Sequence, residues 1–588
     1  MLRSFLVILG SIALSSGKIY ESVTDLPKNL NYDFVVVGGG NAGNVVANRL
    51  TEDPNVSVLL LEAGVSNVGV LDSINPFFLF NLLGPTIYEW NYTTTPQAGL
   101  NGRVLDYFRG HMLGGCTSHN GMAYTRGTRD DFDRYARLVG DEGWSWNRIL
   151  PYFLKNEKWS PPEDHHKTEG QFNPVVHSTH GLTAVSLGGS EWPIFTSGVI
   201  QTTKELPDEF PYNLDTNSGK PLGLGWLQST IGNGVRSSSA TAYLAPEFIR
   251  RKNLDVLLHA QVTKLVHPSN VSGKLSFGGV QFQQGTSLFT ANASKEIILS
   301  AGAVGTPTIL MHSGIGDRNI LDPLGILTVL HLPSVGQNTS DHPIVSASWS
   351  VNFNQTLESI VQNTTRFNEV YAQWNESHTG PFAMSATTNV AWLRLDTSIF
   401  GNHTDPSAGP DTPHIEILFT PGGSIGDSPG HFISAGLAAV TPISRGSVTI
   451  NSSNPLDPPL IDLGLLQNDI DVSVLREGLK PIQRFFNASV WKDYLIAPTR
   501  DLENMTTDAL NDFIRNTAAA SWHLVGSATM SPRNADYGVV DPDLLVKGVR
   551  GLRIIDASVL PIVPAAHTQA ATYALAERGA DLVKQRWK

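Results

Sequence analysis

The chain has 588 residues, a net charge of −12, 16% charged residues and a single cysteine. That length supplies a large core, divided over two domains, and one cysteine excludes an intrachain disulfide. The acidic balance and the lack of a basic stripe argue against a nucleic-acid partner; with no HExxH or CxxC no metal is expected, and His165 and His166, in the polar loop PPEDHHKTEG, read as solvated.

The chain opens with MLRSFLVILGSIALSSG, in which one Arg precedes an apolar run from Phe5 to Leu14 and then small residues. These are the three regions of a secretory signal, residues 1–17, and the apolar run is too short to span a bilayer. The mature chain is therefore expected to start near Lys18 and to be extracellular, with no later membrane span. Export fits the sequons at Asn91, Asn270, Asn292, Asn338, Asn354, Asn363, Asn375, Asn402, Asn451, Asn487 and Asn504. Asn55 also matches, but it lies inside a βαβ pattern and is set aside.

That pattern is YDFVVVGGGNAGNVVANRLTEDPNVSVLLLEAG, residues 32–64. Phe34 to Val37 predicts a buried parallel strand. Gly38, Gly40 and Gly43 follow with G-x-G-x-x-G spacing, then a helix, then a second strand ending at Glu62. Each part has a use. The first glycine makes a tight turn, the second admits a pyrophosphate, the third lets helix and strand pack closely, and Glu62 accepts bonds from a ribose hydroxyl. The pattern predicts a dinucleotide site and leaves NAD and FAD open.

Next, LGGCTSHNGMAYTRG (113–127) sets Cys116 and His119 among small residues, which leave backbone room for a ligand. Further on, GGSIG (422–426) matches the G-x-S-x-G of serine hydrolases around Ser424, with Asp541 and His567 following in the matching order. HIEILFTP would supply the preceding strand, but DSPGHF is no helix, so this rival is weak. Toward the C-terminus, Leu552 to Ile555 predicts a strand and HTQAATYALAERGADLVKQ a helix starting near His567. Such a helix start favours negative charge, as on a reduced flavin. His523, in AAASWHLVGSATMSP, lies 44 residues before His567. Two histidines facing one substrate suit alcohol oxidation, one taking the hydroxyl proton while a flavin takes the hydride.

DFVVVGGGNAGNVVANRL, GHMLGGCTSHNGMAYTRG, GAVGTPTILMHSGIG, PSVGQNTSDHP and the C-terminal block together resemble the glucose-methanol-choline (GMC) oxidoreductase family over nearly the whole chain. The resemblance implies FAD as cofactor. It implies an α/β fold: a Rossmann-like FAD domain from about 30–155, 235–345 and 520–588, and an α+β substrate domain on an antiparallel sheet from 156–234 and 346–519. It places Gly38, Gly40, Asn41, Gly43, Glu62, Gly115, His119, Asn120, Gly121, Met122, Val262, Asp556, His567 and Thr568 at the cofactor, with Val262 as a backbone contact to the adenine. His523 becomes the base and His567 the residue that orients the hydroxyl. Some members carry a histidine bonded covalently to the flavin 8α-methyl carbon in a GG-x-x-x-H-N loop, and GGCTSHNG puts His119 there, with Cys116 packed by the flavin.

SWHLVGSATMSP and VVDPDLLVKGVRGLRIIDASVLP look like the secreted fungal pyranose dehydrogenases. This resemblance implies a monomer that oxidises a secondary hydroxyl of mono- or oligosaccharides, with quinone or radical acceptors. The alternative is an aryl-alcohol oxidase, which would use O2 and release H2O2. Those oxidases carry an aromatic residue at the position of Gly121, and HNG here favours the sugar branch. A flavin-dependent lyase is a second rival.

Overall fold

The computed structural model describes residues 19–26, 29–189, 191–271, 273–423 and 429–588. The expected signal sequence and Ser424 of GGSIG lie outside the described residues.

The unbroken apolar runs at Val35–Val37 and Val58–Leu61 are buried on both faces, as parallel strands covered by helices must be. Strand Asn31–Val37 pairs in parallel with Val58–Leu61 on one side and with Ser287–Leu299 on the other. Leu254–Leu257 continues the sheet beyond Val58–Leu61, and Leu552–Ile554 joins Ser287–Leu299. An antiparallel ribbon, Gln261–Val271 with Lys274–Gln284, completes one side. Three distant stretches of chain thus build one nine-stranded sheet. Helices Asn41–Leu50 and Thr568–Arg586 pack together across 500 residues of sequence, and Arg49 grips Glu577 at 2.7 and 2.9 Å.

The second sheet is antiparallel and runs Leu495–Pro498, Pro343–Val351, Phe432–Ala439, Ile415–Thr420, Asn389–Leu393, Gly223–Trp226. PIVSASWSV at Pro343–Val351 alternates buried with less buried residues, the period of a strand with two unlike faces. Helix Asp469–Phe486 covers one face, where its Gly478 lies against Leu437 and Ile415. At the other end of the Pro343 strand, Ala519–Ala520 pairs with Pro343 and Ile344. That pairing places His342 and His523 side by side. The observed architecture is the expected one, a Rossmann-like α/β sheet joined to an antiparallel α+β sheet.

No helix among the described residues is long and apolar enough to cross a membrane. All eleven sequon asparagines named above except Asn292 are exposed; Asn292 is half-buried and donates to Asn31 Oδ1 at 2.9 Å.

Candidate active site

Between the two sheets lies a cavity of about 690 Å³ that reaches from the N-terminal glycine turn to both histidines. At the glycine end, Gly38 has φ +99 and a Cβ there would meet Ser300 O at 2.5 Å. Only glycine satisfies both constraints. Gly43 does not line the cavity; a Cβ on it would fall 1.9 Å from Gly38 O, so it acts as the close-packing glycine expected of the third position, letting the helix press on the turn, and not as a cavity-lining contact. The helix begins at Gly40, which has no side chain to cap it. Its first N–H groups are therefore left for an anion. Asn41 Oδ1 is buried without a hydrogen-bond partner. Glu62 ends the second strand and accepts the N–H groups of Gly39 at 2.7 Å and Gly64 at 2.8 Å, and burial pushes its carboxyl up to about 7.

Gly115, Cys116, His119, Asn120, Gly121 and Met122 line the middle of the cavity, with Val262 and Asp556. His119 is 4% exposed, and its Nε2 lies 2.8 Å from Glu89 Oε2 and 3.3 Å from Leu82 O. Arg236 was not foreseen. Its buried guanidinium donates to Ser73 O at 2.7 Å and to Asn120 O at 2.6 Å, tying the His119 loop down, and burial lowers its pKa to about 9. Asp556 Oδ2 accepts from Gly302 N–H at 2.9 Å and from Thr306 Oγ1 at 2.6 Å, so it joins the end of the Leu552 strand to helix Gly302–His312. Gly121 opens on free space, with Leu79 the nearest neighbour of a Cβ at 4.0 Å.

His567 is the N-cap of helix Thr568–Arg586 and makes no side-chain capping bond, so the ring is free for other work. Its Nε2 lies 2.9 Å from Glu416 Oε1, and Thr125 Oγ1 accepts its backbone N–H at 2.7 Å. The rings of His523 and His567 are 4.8 Å apart, centre to centre. Burial, then the neighbouring His567, His342 and Arg109, holds His523 well below the usual imidazole range. It is thus neutral and able to accept a proton at working pH. Trp522, just before it, has φ +59, a strained value for a bulky residue. Arg109 Nη1 donates to its carbonyl at 2.8 Å and Phe108 meets its ring edge-on at 5.2 Å, which together hold that turn.

Of the sequence-named residues, all but Gly43 reach this cavity, Thr568 included. The sequence reading missed Glu416, Glu89, Arg109, Asp341 and His342. Only the SDHP segment offered a signal, a histidine in a stretch already singled out. Among the described residues, the Asp541–His567 half of the hydrolase arrangement does not form. Asp541 pairs with Lys547 at 3.0 Å, and the acid beside His567 is Glu416.

The residues present fit FAD. An uncapped helix start, an orphaned Asn41 acceptor and Glu62 suit the dinucleotide portion, and a second helix start beside two histidines suits a flavin. Fold and site together define an FAD-dependent oxidoreductase acting on CH–OH donors. Sequence comparison agrees, with the N- and C-terminal regions described as GMC oxidoreductase matching residues 32–344 and 442–576. The chain belongs to the GMC oxidoreductase family. It is 42% identical to dehydrogenase eriK of Hericium erinaceus over 99% of both chains. It is also 42% identical to a pyranose dehydrogenase of Agaricus campestris, over 97% of this chain and 96% of that one. A crystal structure of formate oxidase matches with TM-score 0.87 at 27% identity, covering 95% of this chain and 99% of its own.

Proposed function

We propose that the protein is an exported sugar dehydrogenase that oxidises a secondary hydroxyl of mono- or oligosaccharides to a ketone and passes the electrons to a quinone or radical acceptor. The observation that carries this reading is the His523–His567 pair, which lines the same cavity as Gly121, a residue whose missing side chain leaves room for a non-planar ring. The likeness to pyranose dehydrogenases supports it. FAD, when bound, supplies the two-electron acceptor for the hydride. The chain supplies the rest. His523 takes the hydroxyl proton, His567 with Glu416 behind it orients the same oxygen, and the walls contributed by the 30–155, 235–345 and 520–588 stretches hold the cofactor while 156–234 and 346–519 form the substrate domain.

His119 is the residue proposed to carry the flavin covalently. Acid precipitation should leave the yellow colour in the pellet, and a His119 peptide should carry the flavin mass. Release of all FAD into acid would overturn the link.

A substrate panel tests the function, with sugars beside aromatic alcohols, each assayed with a quinone or ferrocenium acceptor and by oxygen uptake. Fast sugar turnover with quinone and little peroxide is expected. Near-stoichiometric peroxide from aromatic alcohols would instead favour the aryl-alcohol oxidase reading. Loss of the flavin's visible absorbance on adding substrate separates either from a lyase.

A further inference from the structure

His342 is completely buried next to the proposed base. Its Nδ1 lies 3.0 Å from His523 Nδ1, with the two rings at 88°. Between two neutral imidazoles at that distance one nitrogen donates and the other accepts. The direction matters, because it decides which nitrogen of His523 keeps a lone pair. If His342 donated, His523 would carry its proton on Nε2 and could not take one there.

The surroundings of His342 choose. Its Nε2 is buried and has no hydrogen-bond partner, while the backbone carbonyls of Val440 and Pro564 beside the ring favour a proton on it and would oppose a bare lone pair. Carbonyls only accept, and Nδ1 is already occupied by His523. The proton of neutral His342 therefore belongs on Nε2, leaving the lone pair on Nδ1. The contact is built in from the backbone. Asp341 Oδ1 accepts the N–H groups of both His342 and His523, each at 2.7 Å, and Tyr107 O–H donates to Asp341 Oδ2 at 2.6 Å. Arg109 Nη2 donates to that tyrosine oxygen at 2.6 Å.

We propose that His342 is a positioning residue that fixes the tautomer of His523, accepting its Nδ1–H and so leaving the Nε2 lone pair for the substrate hydroxyl. The proposal rests on the reading of His523 as base. In the step it serves, the hydroxyl O–H breaks and its proton bonds to His523 Nε2. FAD, when bound, would accept the hydride of the C–H bond as that carbon becomes a carbonyl. His523 would return its proton to solvent, and the quinone would take two electrons with two protons and leave as the hydroquinone.

The direct test is nitrogen NMR of histidine-labelled holoenzyme, with the His523 signals assigned by their loss in His523→Gln. A protonated Nδ1 and bare Nε2 at neutral pH are expected; a protonated Nε2 overturns the proposal. In stopped-flow flavin reduction, His342→Leu removes the acceptor and should slow the step by about 10²-fold, at the low end of losing a general base. His342→Asn places an amide oxygen near the Nδ1 position and should stay within a few-fold of wild type. Leucine as fast as wild type, or asparagine as slow as leucine, overturns it. If His342→Leu does not fold, the NMR measurement on the wild-type enzyme decides. If His523→Gln itself reduces flavin at the wild-type rate, the base assignment falls. If it is slow while NMR finds Nε2 protonated, only the role of His342 falls.

Discussion

His567 Nε2 and Glu416 Oε1 lie 2.9 Å apart, and the carboxylate is 2% exposed. A buried acid facing an imidazole fixes the ring and steadies the charge that gathers when the substrate oxygen is engaged. Glu416→Gln keeps the shape and removes the charge. A hydrogen bond to a charged group contributes roughly 1.5–3 kcal/mol. Flavin reduction in Glu416→Gln should therefore slow by about ten- to a hundredfold, with little change in thermal unfolding. A wild-type reduction rate would show that the pair serves the fold alone.

The two histidines should not be equal. His523 is held neutral by burial and by its basic neighbours, the state a base requires. His523→Ala is expected to lose about 10²–10⁴-fold in the rate of flavin reduction, and His567→Ala less. Stopped-flow mixing of each variant with sugar checks this; the reverse order would exchange their roles.

Gly121 sits on the cavity wall with its Cβ direction open. Gly121→Tyr should fold normally, since no neighbour lies closer than 4.0 Å to the added carbon. The new ring would occupy space otherwise left for a pyranose, so kcat/KM for sugars should fall by about tenfold or more while planar aromatic alcohols suffer less. Equal losses for both classes would remove Gly121 from any role in selection.

Away from the cavity, His177 bridges two carboxylates, with Glu157 at 2.6 Å and Asp215 at 2.7 Å; all three side chains are buried and Arg126 grips Glu157. Burial by itself would lower the imidazole pKa, but the bonds to Asp215 and Glu157 outweigh it and the net shift is upward. For the two acids, burial raises the pKa, but the neighbouring cations and hydrogen bonds outweigh it and the net shift is downward. The signs then follow from linkage. The histidine contribution is complete below its unfolded value of about 6.5 and is lost as pH rises through the higher folded value. The acid contribution is complete above about 4 and is lost as pH falls through the lower folded values. The cluster therefore stabilises most between roughly pH 4 and 6.5. Denaturant unfolding across pH should show a decline on the alkaline side that shrinks in His177→Gln; an unchanged profile would sink this account.

The nucleotide end was legible because its information is local. Strand, glycine turn, helix and second strand lie within residues 32–64, and an unbroken apolar run, glycine spacing and helical period each report on neighbours in the chain. The strand at Leu552 and the helix after His567 were read the same way, nearly to the residue. That His523 and His567 could face one substrate was suggested by their settings in the chain, and family resemblance added their separate roles; nothing in the 43 residues between them states that they meet. The tertiary structure alone decided what stands behind them. Glu416 in HIEILFTP looks like any polar position of an alternating strand, and only the neighbouring sheet turns its face into a cavity wall. Asp341 and His342 reach His523 because Pro343 pairs with Ala520 across about 180 residues of chain. Hydrogen bonds of that kind depend on register between distant strands, and register is set by the packed sheet, not by the order of residues along the chain.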